Sequence, residues 1–182
     1  MKVGYTFDPV PMKPRIGIEV DYASGDNCRR GPTTCNAAGH FNTFDNLYPT
    51  NHFHYGYMDL MAWKNMVNYQ AVFDVKPDAV SKIQVNFIIH RLANHLDDWY
   101  RAGQVAYGVT NAANTASSLG RELDIHYYRT IKEKFKFEVG VGHFWAGDYM
   151  KPSNLNNING AGAGASTGSG QNWGYVMTSV LF

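Results

Sequence analysis

Alternation of apolar and polar side chains is the strongest pattern in this chain. Six stretches alternate with a period of two residues, which is typical of β-strands that have one apolar and one polar face. In the first of them, Ile16 and Ile18 fall on one face and Glu19 falls on the other. The pattern predicts strands at 16–22, 66–75, 82–91, 122–131, 135–141 and 172–182, preceded by a short β-type stub at 3–7.

The connections between these strands are alternately short and long. Short turns are expected at 8–14, 76–80 and 132–134, and long loops at 23–62, 93–120 and 147–171. A loop of about 40 residues is far longer than the connections of compact domains, and 92–106 is also compatible with a helix. Short periplasmic turns and long extracellular loops on an up-and-down meander are the layout of an outer-membrane β-barrel. A soluble β-sandwich is the alternative, because its strands alternate in the same way.

The end of the chain and the tryptophans favour the membrane alternative. The closing strand ends in Phe182, as in the C-terminal strands of bacterial outer-membrane barrels. All four tryptophans fall at or beyond the long-loop end of the predicted meander, where indole rings prefer the membrane–water interface. They are Trp63, Trp99, Trp145 and Trp173.

Composition excludes several other classes. The net charge of +1 gives no basic excess for nucleic acid, and no apolar run approaches the roughly 18–20 residues of a transmembrane helix. The 26 aromatic residues (12 Tyr, 10 Phe, 4 Trp) and 18 glycines suit β structure with many turns. The first residues lack the apolar core and cleavage site of a signal peptide. We therefore expect either a cytosolic protein or a piece of a longer exported precursor.

Two cysteines, Cys28 and Cys35, flank a Gly-Pro turn in the first long loop. This spacing favours a small disulfide that stiffens the loop in an oxidising compartment. A metal site needs more Cys or His at ligand spacing, and two free thiols are expected if the chain is cytosolic.

The polar face of the predicted strands is the candidate functional surface. In a barrel it lines the lumen, where its charges set selectivity; in the alternative view these are ordinary solvated residues. Six carboxylates face two lysines in this set, which favours a cationic or polar solute over an anionic one. The candidate pore-lining residues are Glu19, Asp21, Asn68, Gln70, Asp74, Lys82, Gln84, Asn86, Glu122, Asp124, His126, Lys136 and Glu138.

Few residues point to catalysis or metal binding. His52 and His54 lie on one face if extended and are the best metal candidates, but packing beside Tyr55 and Tyr57 is the simpler role. No Gly-x-Ser-x-Gly, P-loop, Rossmann or His-Glu-x-x-His pattern is present. The sequence predicts no enzyme, no cofactor and no metal.

Two stretches resemble the alginate-export family of outer-membrane porins. The first is Pro14-Arg-Ile-Gly-Ile-Glu-Val-Asp-Tyr-Ala-Ser-Gly-Asp26, and the second is Phe44-Asp-Asn-Leu-Tyr-Pro-Thr-Asn-His-Phe-His-Tyr-Gly-Tyr-Met-Asp59. The second contains the loop motif Tyr48, Pro49, Thr50, Asn51 and His52. The resemblance implies a monomeric barrel of about eighteen strands through which an anionic exopolysaccharide leaves the cell.

Only about seven strands fit in residues 1–182, whereas membrane barrels have at least about eight. We therefore expect an all-β, antiparallel, up-and-down transmembrane β-barrel domain, present as its C-terminal part. Its expected function is passive passage of a polysaccharide or another polar solute through the bacterial outer membrane. Outer-membrane lipid and the solute are the expected partners. The alternatives are a porin for small polar or cationic solutes, and a soluble or surface β-barrel that binds without transport.

Overall fold

The computed structural model describes residues 1–27, 42–48, 54–106, 109–110, 115–151, 155–156, 170–180 and 182. Cys28 and Cys35, and Pro49, Thr50, Asn51 and His52 of the loop motif, lie outside the described residues.

In the described part of the chain, seven strands form one antiparallel sheet, and strands that follow one another within this sheet are hydrogen-bonded neighbours. This confirms the predicted up-and-down meander of about seven strands. The strands are β1 (Lys2–Thr6), β2 (Arg15–Ala23), β3 (Met66–Asp78), β4 (Ser81–Arg91), β6 (Ser118–Ile131), β7 (Phe135–Ala146) and β9 (Gln171–Val180). A separate two-stranded sheet pairs β5 (Val109–Thr110) with β8 (Leu155–Asn156).

Helical structure is confined, within the described residues, to one 3-10 turn at Asp148–Met150. The helix considered for 92–106 is therefore wrong, because that segment is held by turns and by side-chain hydrogen bonds to its own backbone. In the part of the chain that is described, no helix has the length and apolarity needed to span a membrane.

The strands extend further at the long-loop end than alternation alone predicted. β6 starts at Ser118, inside the predicted loop 93–120, because Ser118 pairs with Arg91 and Gly120 with His90. β7 runs on to Ala146 because its last residues pair with the start of β6. Within the described seven-stranded sheet, the register shifts next to His90 on β4 and between Val75 and Asp78 on β3. The alternation of the two faces is thus kept along most of the sheet.

The two faces of the sheet have the opposite burial from that of a soluble protein. The apolar face is open: Ile18 is 51% exposed and Val141 is 55% exposed, both within long strands. On the polar face, Glu122 and His126 are completely buried. The cover over the polar face comes from the long connections, because these fold back across it.

The hydrophobic core lies among these connections at the long-loop end of the sheet. Its buried members come from strand ends and from three connecting segments, and they include Tyr55, Met61, Trp99, Leu119 and Tyr149. The apolar side chains in the middle of the strands are not part of it. Loop packing, and not the face of the sheet, therefore builds the water-excluded core of the described structure.

Candidate functional site

The thirteen polar residues predicted to line a pore share one face of the sheet. The register places Glu19 opposite Gln70, Asn86 opposite Asp124, and Gln84 opposite His126. Side chains directly opposite in neighbouring strands lie on the same face, so the set is contiguous from β2 to β7. We call this surface the polar face.

Two basic residues of the polar face were missed in the sequence. Lys2 lies opposite Glu19 in the pairing of β1 with β2, and Arg15 lies opposite Asp74 in the pairing of β2 with β3. Lys2 Nζ is 2.6 Å from Glu19 Oε2, and Arg15 Nη1 is 3.5 Å from Asp74 Oδ2. Strand β1 was too short to show alternation, and Arg15 lay just outside the predicted strand. The polar face is therefore less acidic than the sequence count suggested.

Side-chain hydrogen bonds continue this pairing along β4. Lys82 Nζ donates to Gln84 Oε1 at 2.7 Å, and Gln84 Nε2 donates to Asn86 Oδ1 at 3.0 Å. The same ammonium lies 4.3 Å from the centre of the Tyr128 ring, within range of a cation–π interaction. Across the sheet, the Tyr175 hydroxyl donates to the Glu138 carboxylate. The half of the polar face nearest the short turns is thus a connected set of paired charges and amides.

The other half of the polar face is covered by residues 54–65, which we call the strap. The backbone N–H of Met58 donates to Glu122 Oε1 at 3.0 Å, and that of Tyr57 donates to Asp124 Oδ2 at 3.3 Å. Glu122 and Asp124 are two residues apart on β6 and therefore point the same way. Two buried carboxylates thus hold two consecutive backbone amides of the strap.

Gly56 lets the strap approach this closely. Its φ of +96° lies in the left-handed region that side chains disfavour. A Cβ there would also lie 2.5 Å from Glu122 Oε1. The position therefore requires glycine both for its backbone conformation and for the space beneath it.

Tyr57 packs its ring into the polar face. The ring centre lies 3.9 Å from that of His126 and 5.9 Å from that of Tyr175, and the two tyrosine rings are nearly parallel at 13°. The Tyr57 and Tyr128 hydroxyls are 3.0 Å apart. Burial raises the pKa of the Tyr57 hydroxyl above its ordinary value. The strap is therefore anchored by its ring as well as by its backbone.

His90 supports the carboxylate that receives the strap. It is completely buried, with Nε2 3.2 Å from Glu122 Oε2 and Nδ1 3.2 Å from Asn68 Oδ1. Since Glu122 Oε1 bonds the strap and Oε2 faces the imidazole, both oxygens have a partner. The carboxylate is thus fixed in the orientation that the strap needs.

Asn65 ties the far end of the strap to the loop that follows β4. Its side-chain amide donates to the carbonyls of Asn94 and Asp98 at 3.0 and 2.9 Å, and its carbonyl accepts the N–H of Asn94 at 2.8 Å. The completely buried Asp97 accepts hydrogen bonds from the Asp26 N–H and the Thr43 hydroxyl, at 2.8 and 2.6 Å. The two long connections therefore form one hydrogen-bonded unit above the sheet.

The tryptophans do not form the single interfacial band that the sequence suggested. Trp145 lies on the open apolar face and is 45% exposed. Trp99 is buried and donates to the Leu60 carbonyl at 2.7 Å, whereas Trp173 lies on the polar face with its ring centre 4.7 Å from that of Tyr175. Sequence position along a strand predicted the end at which each indole lies, but not the face.

Of the two histidines considered for metal binding, His52 lies outside the described residues and His54 lies within them. His54 Nδ1 lies 3.4 Å from Glu19 Oε1, and its ring packs beside Tyr55. Within the described ranges, no three His, Cys, Asp or Glu side chains are grouped so that they could hold a metal ion. Tyr48 of the loop motif is 87% exposed.

The two sides of the sheet present different chemical groups. One side of the sheet presents paired charges, amides and aromatic hydroxyls, which are groups that bind water and hydroxylated molecules. The other side presents aliphatic and aromatic side chains to its surroundings. A folded-back segment occupies part of the polar side.

Comparison with known proteins agrees with this description. The family model described as "Alginate export" matches residues 1–163. No curated protein matches the chain.

Proposed function

This chain belongs to the alginate export family, and we propose that it forms part of the wall of an outer-membrane β-barrel. The polar face would line a hydrated lumen, and the apolar face would contact lipid. The observation that carries this proposal is the reversed burial of the two faces across the five inner strands, β2, β3, β4, β6 and β7. A water-soluble protein rarely exposes a continuous apolar surface of more than a few hundred square ångströms.

Strand length supports a membrane-spanning role. Within the seven-stranded sheet, the six strands other than β1 have 9 to 14 residues. At about 3.4 Å per residue and a tilt near 45°, some ten residues are enough to cross the apolar band of an outer membrane. The short turns would face the periplasm and the long connections the cell exterior.

The edges of the sheet support a larger barrel. β1 and β9 each have one neighbour, and they do not pair with one another in the described sheet. Unpaired strand edges are not stable in lipid because their backbone groups have no partner there. We propose that residues 1–182 belong to the C-terminal part of a single, monomeric barrel domain of about eighteen strands, the number the family resemblance implies, completed by strands beyond those described.

The proposed activity is passive passage of a polysaccharide through the lumen, without catalysis or cofactor. Ion pairs of Glu19 with Lys2 and of Asp74 with Arg15 neutralise part of the acidic excess of the polar face. Backbone amides of the strap donate one hydrogen bond each to Glu122 and Asp124. A polymer therefore meets mainly hydrogen-bonding groups and few unpaired charges. This supports a hydroxylated chain, alginate-like or otherwise, as the solute.

One observation favours a second candidate, a porin for small polar or cationic solutes. The strap occupies the part of the polar face next to β6, which narrows the path past that part of the wall. Six carboxylates remain against four cations when Lys2 and Arg15 are included with Lys82 and Lys136. A narrow, acidic passage selects for small cations over long anionic chains.

The first test is electrophoresis of the intact protein from its membranes, with and without boiling, followed by conductance in planar bilayers. A closed barrel resists SDS until heated, so its mobility changes on boiling, and a lumen conducts ions. Reversal potentials in salt gradients compare the wild type with Glu138→Lys. A shift toward anions is expected if Glu138 lines the lumen. A protein that is extracted without detergent, unchanged by boiling and non-conducting would refute the proposal.

A further inference from the structure

A groove crosses the apolar face of the sheet at its long-loop end. It has a volume of about 470 Å³ and lies between the start of β6 and the end of β7, with β4 beside it. Its lining includes Phe87, Ser118, Gly120, Arg121, Trp145 and Asp148. The groove is on the opposite side of the sheet from the strap and has no part in the lumen described above.

Arg121 lines this groove, and Arg91 lies beside it at the end of β4. Arg121 lies directly opposite Trp145 on β7 and Ile89 on β4. Arg91 is two residues beyond Ile89 on the same face of β4, which makes the two arginines diagonal neighbours. Both are exposed, and Arg91 Nη2 donates to Ser117 Oγ at 2.9 Å. Among the described residues, Arg121 has no carboxylate within ion-pair distance.

Asp148, the carboxylate among the described lining residues of the groove, forms an ion pair with a lysine. Asp148 Oδ1 lies 2.6 Å from Lys151 Nζ, three residues further along the chain. Among the described residues named here, three cations (Arg91, Arg121 and Lys151) and one anion (Asp148) lie in or beside this end of the groove. The local field therefore favours an anionic ligand.

The surface below the arginines is apolar. Phe87 and Ile125 are 37% and 43% exposed on β4 and β6, and Val141 is 55% exposed on β7. These three strands are neighbours in the interior of the sheet, so the exposure does not result from an unpaired edge. A ligand that fits this surface has an anionic headgroup beside the arginines and a hydrocarbon part along the apolar side chains.

We propose that this groove binds a lipid with a phosphate headgroup from the outer leaflet of the membrane. The phosphate would contact Arg121 and Arg91, and an acyl chain would lie along Phe87 and Ile125. The inference rests on the proposed function, since it needs the apolar face to contact a bilayer.

The chemistry of the groove selects phosphate on a lipid. Guanidinium groups present two parallel N–H donors that match two phosphate oxygens. The Trp145 indole prefers the level of the membrane at which headgroups meet acyl chains. Free phosphate would gain only the polar contacts, whereas a lipid also removes the apolar surface of Phe87 and Ile125 from water.

The test measures binding of lipid A, which carries phosphates and acyl chains, to the intact protein in phosphatidylcholine vesicles. Co-flotation of the wild type with the vesicles is established first. Affinity is then compared for the wild type, Arg121→Gln and the matched control Arg129→Gln. Arg129 is on the same face of β6 at the short-turn end, where it pairs with Asp78. The same titration is repeated with lipid A lacking its phosphates and with inorganic phosphate as competitor.

Arg121→Gln removes the guanidinium group and is expected to weaken lipid A binding about tenfold. Arg121→Lys, which keeps the positive charge, should bind more tightly than Arg121→Gln. Arg129→Gln should bind as the wild type does. Equal affinity of Arg121→Gln and the wild type, or of lipid A with and without phosphates, would overturn the proposed site. Competition by inorganic phosphate at the concentrations effective for lipid A would identify a simple anion site and also overturn it. A wild type that does not float with the vesicles would overturn the membrane proposal, and with it this site. A wild type that floats, but whose affinity for lipid A depends on neither Arg121 nor the phosphates, would overturn the site alone.

Discussion

Substitution of Gly56 by alanine should release the strap from the polar face. The added Cβ meets Glu122 Oε1 at 2.5 Å and Cδ at 2.7 Å, which is closer than real Cβ contacts allow. Alanine at a φ of +96° adds a backbone penalty of about 1 kcal/mol. The side chain of Glu122 then has to move, and it cannot do so freely because its other oxygen faces the buried His90.

The size of the effect follows from the bond that this movement breaks. Met58 N–H donates to the carboxylate at 3.0 Å, and a hydrogen bond to a charged group is worth about 1.5–3 kcal/mol. With the backbone penalty, the strap should be destabilised by about 3 kcal/mol, which corresponds to a roughly 150-fold increase in the undocked population.

Limited proteolysis of the intact protein in vesicles measures this population. Cleavage of a segment that opens and closes rapidly follows the fraction that is open. Trypsin cleavage after Lys64, followed by mass spectrometry of the released ends, reports on the strap. Planar-bilayer conductance of the same variant should rise because the undocked strap leaves a wider lumen.

Gly103→Ala is the matched control, since an added Cβ there meets nothing within 4 Å. It should be cleaved after Lys64 at the wild-type rate. Cleavage of Gly56→Ala at that same rate would refute the docking argument.

Three further predictions concern the same unit. Asn65→Ala removes hydrogen bonds of 2.8 to 3.0 Å to Asn94 and Asp98, so trypsin cleavage in 92–106 should accelerate about tenfold or more; an unchanged rate would contradict a shared loop unit. Tyr57→Phe keeps the ring but loses the hydrogen bond of the hydroxyl, so strap docking should weaken by about 1 kcal/mol in the cleavage assay. A loss as large as that of Gly56→Ala would contradict the view that the backbone amides of the strap hold it in place. Because the pKa of Tyr57 is raised in the docked strap, docking should be constant below about pH 10 and weaken as pH rises further. That pH dependence, measured by conductance, should be reduced in Tyr57→Phe.

The strands were predictable because each is a local pattern. A strand with one apolar face shows its period in any window of six or more residues. The surrounding solvent, lipid or water, determines only which of the two faces is buried in the protein. The strand ends were less predictable. Ser118 and Ala146 belong to strands because of partners on β4 and β6, and pairing with a distant segment leaves no periodic signal.

The strap could not be predicted from alternation, because its position depends on contacts more than sixty residues apart in the chain. One signal was present in hindsight. Glu122 and Asp124 were two carboxylates on the same predicted face with no cation beside them on β6. Buried carboxylates need donors, and Gly56 between two tyrosines is a segment whose backbone amides can approach closely.

The location of the hydrophobic core has a consequence for unfolding. Tyr55, Met61, Trp99 and Tyr149 cluster in the connections at one end of the sheet, where water is the solvent, while the proposed solvent of the strands is hydrocarbon. Urea acts on groups that become exposed to water, so it should melt the loop cluster well before it affects strands held in lipid. Two separate transitions are expected in place of one cooperative unfolding. Loosening the cluster should therefore alter the lumen while the barrel itself remains intact.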